Sequence, residues 1–420
     1  MDFNQKRKKV FYGWYIVAAC TLIALYTGGV VHFGFTAIFE PIVEEFGWSY
    51  AQVSLASSLR GFEVGLLAPL VGLLVDNLGP RRLIFGGGIL CCLGFLLLSR
   101  VSSLAMFYVA FVLMAAGMST CTGTVLMTAI TNWFRRKAGW AVGIVASGFG
   151  LGGLIVPVVT GMIDLLQWRM AMVIVGLGIL VIVIPLSFVV RHKPEQYGYK
   201  PDGETGDVIE TEDVQLSTVN AEASIPARQA LRNRTFWHIG IAMLCLAFVV
   251  SSIITHIMPY LSSLGIARTT SSLVALLIPV VSIGGRLSSG WLSDRLGSRQ
   301  VFAASFASLT AGMLCLGYVT TERIWLLVPF IVTFGLGWGC WATSRITLLR
   351  KYYGRVSFGT ILGFASGVMM LGNISGAPLA GWIYDTWGSY KVAWLCFSSI
   401  TITGAVLALT IPSSKDTLSD

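Results

Sequence analysis

Three stretches of the sequence, Leu83 to Ser99, Ser102 to Trp133 and Ala141 to Ile163, run without a single charged residue. A helix rises about 1.5 Å per residue, so about 20 apolar residues match the hydrocarbon thickness of a bilayer. A soluble helix of that length would carry a polar stripe along one face. Composition points the same way, with 55% hydrophobic and only 12% charged residues, where soluble domains hold about a quarter charged. A water-soluble globular chain is excluded, and an all-α membrane protein is predicted.

Apolar stretches bounded by turn residues and charges predict twelve spans, near 12–38, 50–74, 82–99, 104–130, 139–163, 169–190, 236–260, 270–292, 300–319, 324–347, 357–382 and 389–411. Six precede and six follow a polar segment, Arg191 to Arg234, which holds Pro194, Gly198, Pro201, Gly203, Gly206 and the acidic Glu210, Glu212 and Asp213. The expected division is a six-helix bundle over residues 1–190, a cytoplasmic linker over 191–234 and a second six-helix bundle over 235–420. Lys6 to Lys9 precede a long first span with no small-residue cleavage site after it, which reads as a retained helix and not a removed leader.

The net charge of +9 does not indicate nucleic acid, because the basic residues sit in short clusters between spans and never form a stripe. With both termini cytoplasmic, the cytoplasmic connections hold 21 Lys and Arg and the opposite ones five. That bias sets the expected orientation. The eight cysteines are scattered without metal-ligand spacing, so they read as small apolar side chains, and no metal or cofactor is expected. No Gly-x-Ser-x-Gly elbow or phosphate loop is present either, which argues against an enzyme.

Local sequence repeats across the linker. Gly72-Leu-Leu-Val-Asp76-Asn-Leu-Gly79-Pro-Arg81 matches Gly290-Trp-Leu-Ser-Asp294-Arg-Leu-Gly297-Ser-Arg299 at an offset of 218. Trp133-Phe-Arg-Arg136 recurs as Tyr352-Tyr-Gly-Arg355, and Gly161 before Asp164 recurs as Gly381 before Asp385, at offsets of 219 and 220. A near-constant offset over three blocks predicts two pseudo-symmetric bundles with a seam between them. In the first block the glycines permit tight turns, and each aspartate can hold an arginine or a helix dipole, forming a latch that breaks when the seam opens. Asp76, Arg81, Asp294 and Arg299 are therefore gating candidates, although a simple helix-capping role for both aspartates also fits. This repeated loop resembles the signature of the major facilitator superfamily, which implies that fold for nearly all of the chain. Asn77 departs from the pattern, since the family often has a basic residue there.

A charge in the middle of a span needs a partner, a water cavity or a substrate. Arg286 lies some 16 residues into the eighth span, with no acidic residue in the surrounding Pro279 to Ser288. Its planar fork suits one carboxylate, the alternative being a structural bond to carbonyls or to another helix. Arg60 and Glu63 are three apart on one helix face and can pair; Arg60 is a gating candidate and Glu63 a proton-coupling one. Arg345, placed near the cytoplasmic end of the tenth span, reads as a snorkelling or gate residue. His256 lies in the seventh span and His32 in the first, and each fits either a hydrogen-bonding role or substrate and proton contact. Tyr260, Trp338 and Trp341 are expected to wall off a small apolar tail, and Asn373 to add a polar contact.

The chain further resembles the branch that holds monocarboxylate transporters and oxalate and formate exchangers, on Tyr12-Gly13-Trp14-Tyr15, the Gly- and Phe-rich end of that span, and Arg286-Leu-x-x-Gly290. The resemblance implies that Arg286 binds the substrate carboxylate and that His256 carries a proton. Ser282 stands where animal members have an aspartate, and no lysine occurs in His32 to Phe39. The expected function is a secondary active transporter of a small monocarboxylate such as lactate or pyruvate, moved by alternating access with a co-transported proton. An oxalate/formate-type exchanger, or a carrier of a drug or sugar, is the alternative. The expected setting is a bacterial inner membrane, as a monomer in contact with lipid and without nucleic acid.

Overall fold

The computed structural model describes residues 11–62, 67–134, 137–199, 229, 231–353 and 358–411. Among the described residues every regular element is helical. In chain order these are α1 (Tyr12–Thr27), α2 (Phe35–Phe46), α3 (Tyr50–Phe62), α4 (Ala68–Leu78), α5 (Pro80–Ser99), α6 (Leu104–Cys121), α7 (Gly123–Trp133), α8 (Ala138–Leu151) and α9 (Ile155–Val189). After the polar segment come α10 (Arg234–Ser263), α11 (Arg268–Leu296), α12 (Ser298–Gly317), α13 (Leu327–Tyr353), α14 (Phe358–Trp387) and α15 (Tyr390–Leu409).

Among the described residues ten helical stretches are long and apolar enough to cross a bilayer, against the twelve passes expected. One of the ten, Gly139–Val189, is 51 residues long and turns at Gln167, whose backbone is left-handed (φ 67, ψ 153). Two shorter helices, α3 and α4 with 13 and 11 residues, flank residues outside the description. The chain is an all-α, multi-pass membrane protein.

Glycine sets two features of this architecture. Between α1 and α2 the helix widens into a π turn, Gly28–Phe33, where a Cβ on Gly29 would overlap the Gly152 carbonyl and Ile155. The absent side chain lets the first helix meet the short 3-10 turn Gly152–Leu154 backbone to backbone. The second feature is the repeated loop. Gly79 (φ 77, ψ 157) and Gly297 (φ 90, ψ 141) take nearly the same left-handed backbone, and their N–H groups close α4 and α11 on Val75 and Ser293. An L side chain resists that conformation, so both copies of the pattern need glycine there.

Helices pack in neighbouring sets: α5 on α6 and α9, α10 on α14, α11 on α13, and α12 on α13 and α15. The two parts of the chain meet where α3 packs on α14 and where α11 packs on α8 and α9. The face on which α2 ends and α3 begins is called the far face below. The opposite face carries Phe11 and the first residues of the polar segment. There Arg191 lies between the rings of Tyr12 and Tyr197, 4.1 and 4.3 Å from their centres, and the Trp133 indole N–H donates to its carbonyl.

Candidate substrate cavity

A cavity of about 450 Å³ lies between helices from both parts of the chain. Ala24, His32, Ser57, Thr122, Ala146 and Phe149 line it on one side, and Ser251, Thr255, Arg286, Arg345, Met369 and Asn373 on the other. No aspartate or glutamate is among its described lining residues.

Arg286 projects from α11 and donates from Nη1 to the Ala146 carbonyl of α8 at 3.0 Å. Its Nε is buried without a hydrogen-bond partner, and its guanidinium carbon stands 5.9 Å from the Trp338 ring centre. Arg345 projects from α13 with its guanidinium carbon 4.6 Å from the Trp341 ring centre. It reaches the Ala342 carbonyl (3.4 Å) and the Met369 sulfur (2.9 Å). All of these partners are neutral, so two cations face one cavity and interact electrostatically. The sequence placed Arg345 near the end of a span closing at 347. In the structure Arg345 lines the cavity, on a helix described to Tyr353.

The other expected contacts divide. His32 and Asn373 line the cavity, the His32 ring lying 5.3 Å from that of Phe149. Trp338 and Trp341 stand behind the two arginines. Tyr260 is placed elsewhere, its hydroxyl donating to the Leu316 carbonyl at 2.6 Å and its ring packed on Tyr390 and Trp394. His256 is fully buried away from the cavity lining. Its Nε2 lies 2.9 Å from both the Ala377 carbonyl and the Ser54 hydroxyl, and its Nδ1 lies 2.9 Å from the Tyr390 hydroxyl. A carbonyl only accepts, so Nε2 carries the hydrogen and Nδ1 accepts from Tyr390.

His256 belongs to a far-face seam that the sequence reading did not foresee. The Asp385 carboxylate of α14 accepts from the N–H groups of Tyr50 and Ala51 at the start of α3, both at 2.9 Å. An anion at a helix N-terminus meets both unpaired donors and the positive end of the dipole. Asp164 of α9 pairs with Arg268, the first residue of α11, at 3.0 Å, and Arg268 also donates to the Ala37 carbonyl at 2.7 Å. The repeated Gly–Asp pair therefore meets a helix start in both copies. The repeat was visible in the sequence, but the helix start it meets was not.

On the opposite face Arg81 stacks over Phe188 at 4.6 Å, and Arg299 donates to the Leu409 carbonyl. Glu63 and the side chains of Arg60, Asp76 and Asp294 lie outside the described residues. Among the described residues no group of three or more His, Cys, Asp or Glu side chains could hold a metal ion.

The sequence model of the Major Facilitator Superfamily matches residues 15–365. Human monocarboxylate transporter 12 is 27% identical over 421 residues, covering 94% of this chain and 80% of its own. The oxalate:formate antiporter of Oxalobacter formigenes is 24% identical, over 88% of this chain and 86% of its own. Among solved structures, a bacterial homolog of the human lysosomal transporter Spinster, inward-facing and unoccupied, aligns with a TM-score of 0.69 at 16% identity, over 95% of each chain. The nucleoside transporter NupG aligns with a TM-score of 0.74 at 13% identity, over 96% of this chain and all of its own.

Proposed function

The chain belongs to the Major Facilitator Superfamily, and we propose that this secondary active small-solute transporter carries a small monocarboxylate such as lactate or pyruvate, with a proton, by alternating access. The observation that carries the reading is Arg286, a buried guanidinium that faces the cavity with one N–H unpartnered and no described carboxylate beside it. A carboxylate bound there gains a charge-assisted, bidentate contact that a neutral solute does not offer. The names of the relatives support the same class of solute. A sugar or drug without negative charge would leave the cation uncompensated.

The fold reading goes with it. Counting the turn at Gln167 as a boundary between passes, and α3 with α4 as one more, brings the ten stretches to twelve, six on each side of residues 191–234. With the linker and termini on the cytoplasmic side, as the basic residues favour, the far face is the outer one, and its hydrogen-bonded seam corresponds to a state closed outward. The protein acts as a lipid-embedded monomer in a bacterial inner membrane. Asp76 with Arg81 and Asp294 with Arg299 form the cytoplasmic latch, and Arg60 assists it. His256 takes the proton on Nδ1, the nitrogen that now accepts from Tyr390, once opening of the far face lets water reach the ring, with Glu63 as the other carrier.

Uptake into proteoliposomes tests this reading. Wild-type protein accumulates a short monocarboxylate under an inward proton gradient, and Arg286→Ala loses that uptake by about thirtyfold or more, since removing a buried charged partner costs about 2–5 kcal/mol. Unchanged uptake by a folded, inserted Arg286→Ala protein overturns it.

A further inference from the structure

A second cation in the cavity calls for its own explanation. Arg286 of α11 and Arg345 of α13 both line the cavity, on two helices that pack against each other. Glycine holds their helices together. A Cβ on Gly339 would overlap the Ser282 backbone, and one on Gly285 the Leu336 carbonyl. The Cys340 thiol donates to the Gly285 carbonyl at 3.3 Å, and the hydroxyls of Ser289 and Thr343 are joined. The two guanidiniums thus project from packed helices into one cavity. No described carboxylate lines the cavity; Asp164 and Asp385 stand in the far-face seam and Glu45 on Arg169 at 2.6 Å.

We propose that Arg345 is a second anion anchor, and that the cavity takes short dicarboxylates, one carboxylate on Arg286 and one on Arg345, in addition to monocarboxylates that occupy Arg286 alone. This rests on the reading of Arg286 as the carboxylate receptor. Two like charges held on one wall repel each other, and a dianion relieves both at once, whereas a monoanion leaves Arg345 with a neutral carbonyl and a thioether. The Trp341 ring, the Ala342 carbonyl and Met369 hold the second guanidinium in place without neutralising its charge, which is left for an anion.

The test is calorimetric binding of butyrate and of succinate, matched in carbon number, to the full-length purified protein and to Arg345→Gln, Arg345→Lys and Arg286→Gln. Wild-type protein binds succinate tenfold or more tighter than butyrate. In Arg345→Gln that ratio falls to about one, because succinate loses far more affinity than butyrate. Arg345→Lys keeps a charge at the site and covers the case in which the glutamine variant does not fold, and it lowers succinate affinity severalfold more than butyrate affinity. Arg286→Gln loses both ligands. A succinate-to-butyrate ratio that Arg345→Gln leaves at its wild-type value overturns the second anchor, as does a Lys variant that binds succinate like wild type. Butyrate binding that survives in Arg286→Gln overturns instead the reading of Arg286 on which the inference stands.

Discussion

The far-face seam and the cavity wall treat buried polar groups in opposite ways. In the seam charges meet opposite charge or helix N–H groups: Asp385 meets two helix N–H groups, Asp164 forms an ion pair with Arg268, and both ring nitrogens of His256 have partners. On the wall, Arg286 and Arg345 meet neutral carbonyls, a thioether and aromatic faces. Polar groups inside a membrane are costly unless paired. Those of the seam hold one conformation closed, and those of the wall are left for a solute.

Breaking the seam should therefore change the conformational balance, and the largest effect is expected at Asp385. Asparagine keeps one acceptor but loses the charge and one of the two bonds to α3. At about 2 kcal/mol for a charge-assisted bond, Asp385→Asn shifts the balance about thirtyfold toward a form open at the far face. Cysteines placed beside Tyr50 and labelled by a membrane-impermeant reagent from the far side report it, and unchanged labelling would leave Asp385 as a helix cap alone.

A smaller shift is expected from His256→Gln, since glutamine replaces part of the bonding to Ala377, Ser54 and Tyr390. The same variant sharpens the functional side of the comparison. Proton-driven accumulation is lost while counterflow exchange persists, because only net movement needs the proton carrier. Intact pH-driven accumulation would move the coupling to Glu63 or to proton-independent exchange. The smallest effect is that of Tyr390→Phe, which removes a single bond to Nδ1 and lowers thermal stability by about 1 kcal/mol with exchange preserved.

The two regions also differed in how far the sequence revealed them. Uncharged runs and positive clusters exposed the membrane fold because the bilayer acts on composition and length, which are local properties. Arg286 stood out for the same reason, a charge within an apolar span. Arg345 was harder to place, because an arginine near the end of an expected span reads as snorkelling, and its place in the cavity comes from packing against other helices. The partners of His256 and Asp385 come from Ser54, Tyr50 and Ala51, about 200 and more than 300 residues away in the chain, and no local pattern encodes contacts at that separation. The Gly–Asp repeat showed that something was used twice, but the helix starts it meets appear only once the two parts are packed together.

The claim that the wall awaits an anion is tested most directly by comparing a carboxylate with its uncharged amide. Calorimetry on purified wild-type protein and on Arg286→Lys should show the carboxylate binding, the amide not binding, and the lysine variant at least about tenfold weaker, because a point charge lacks the bidentate fork. Equal binding of amide and carboxylate, or a lysine variant indistinguishable from wild type, would contradict it.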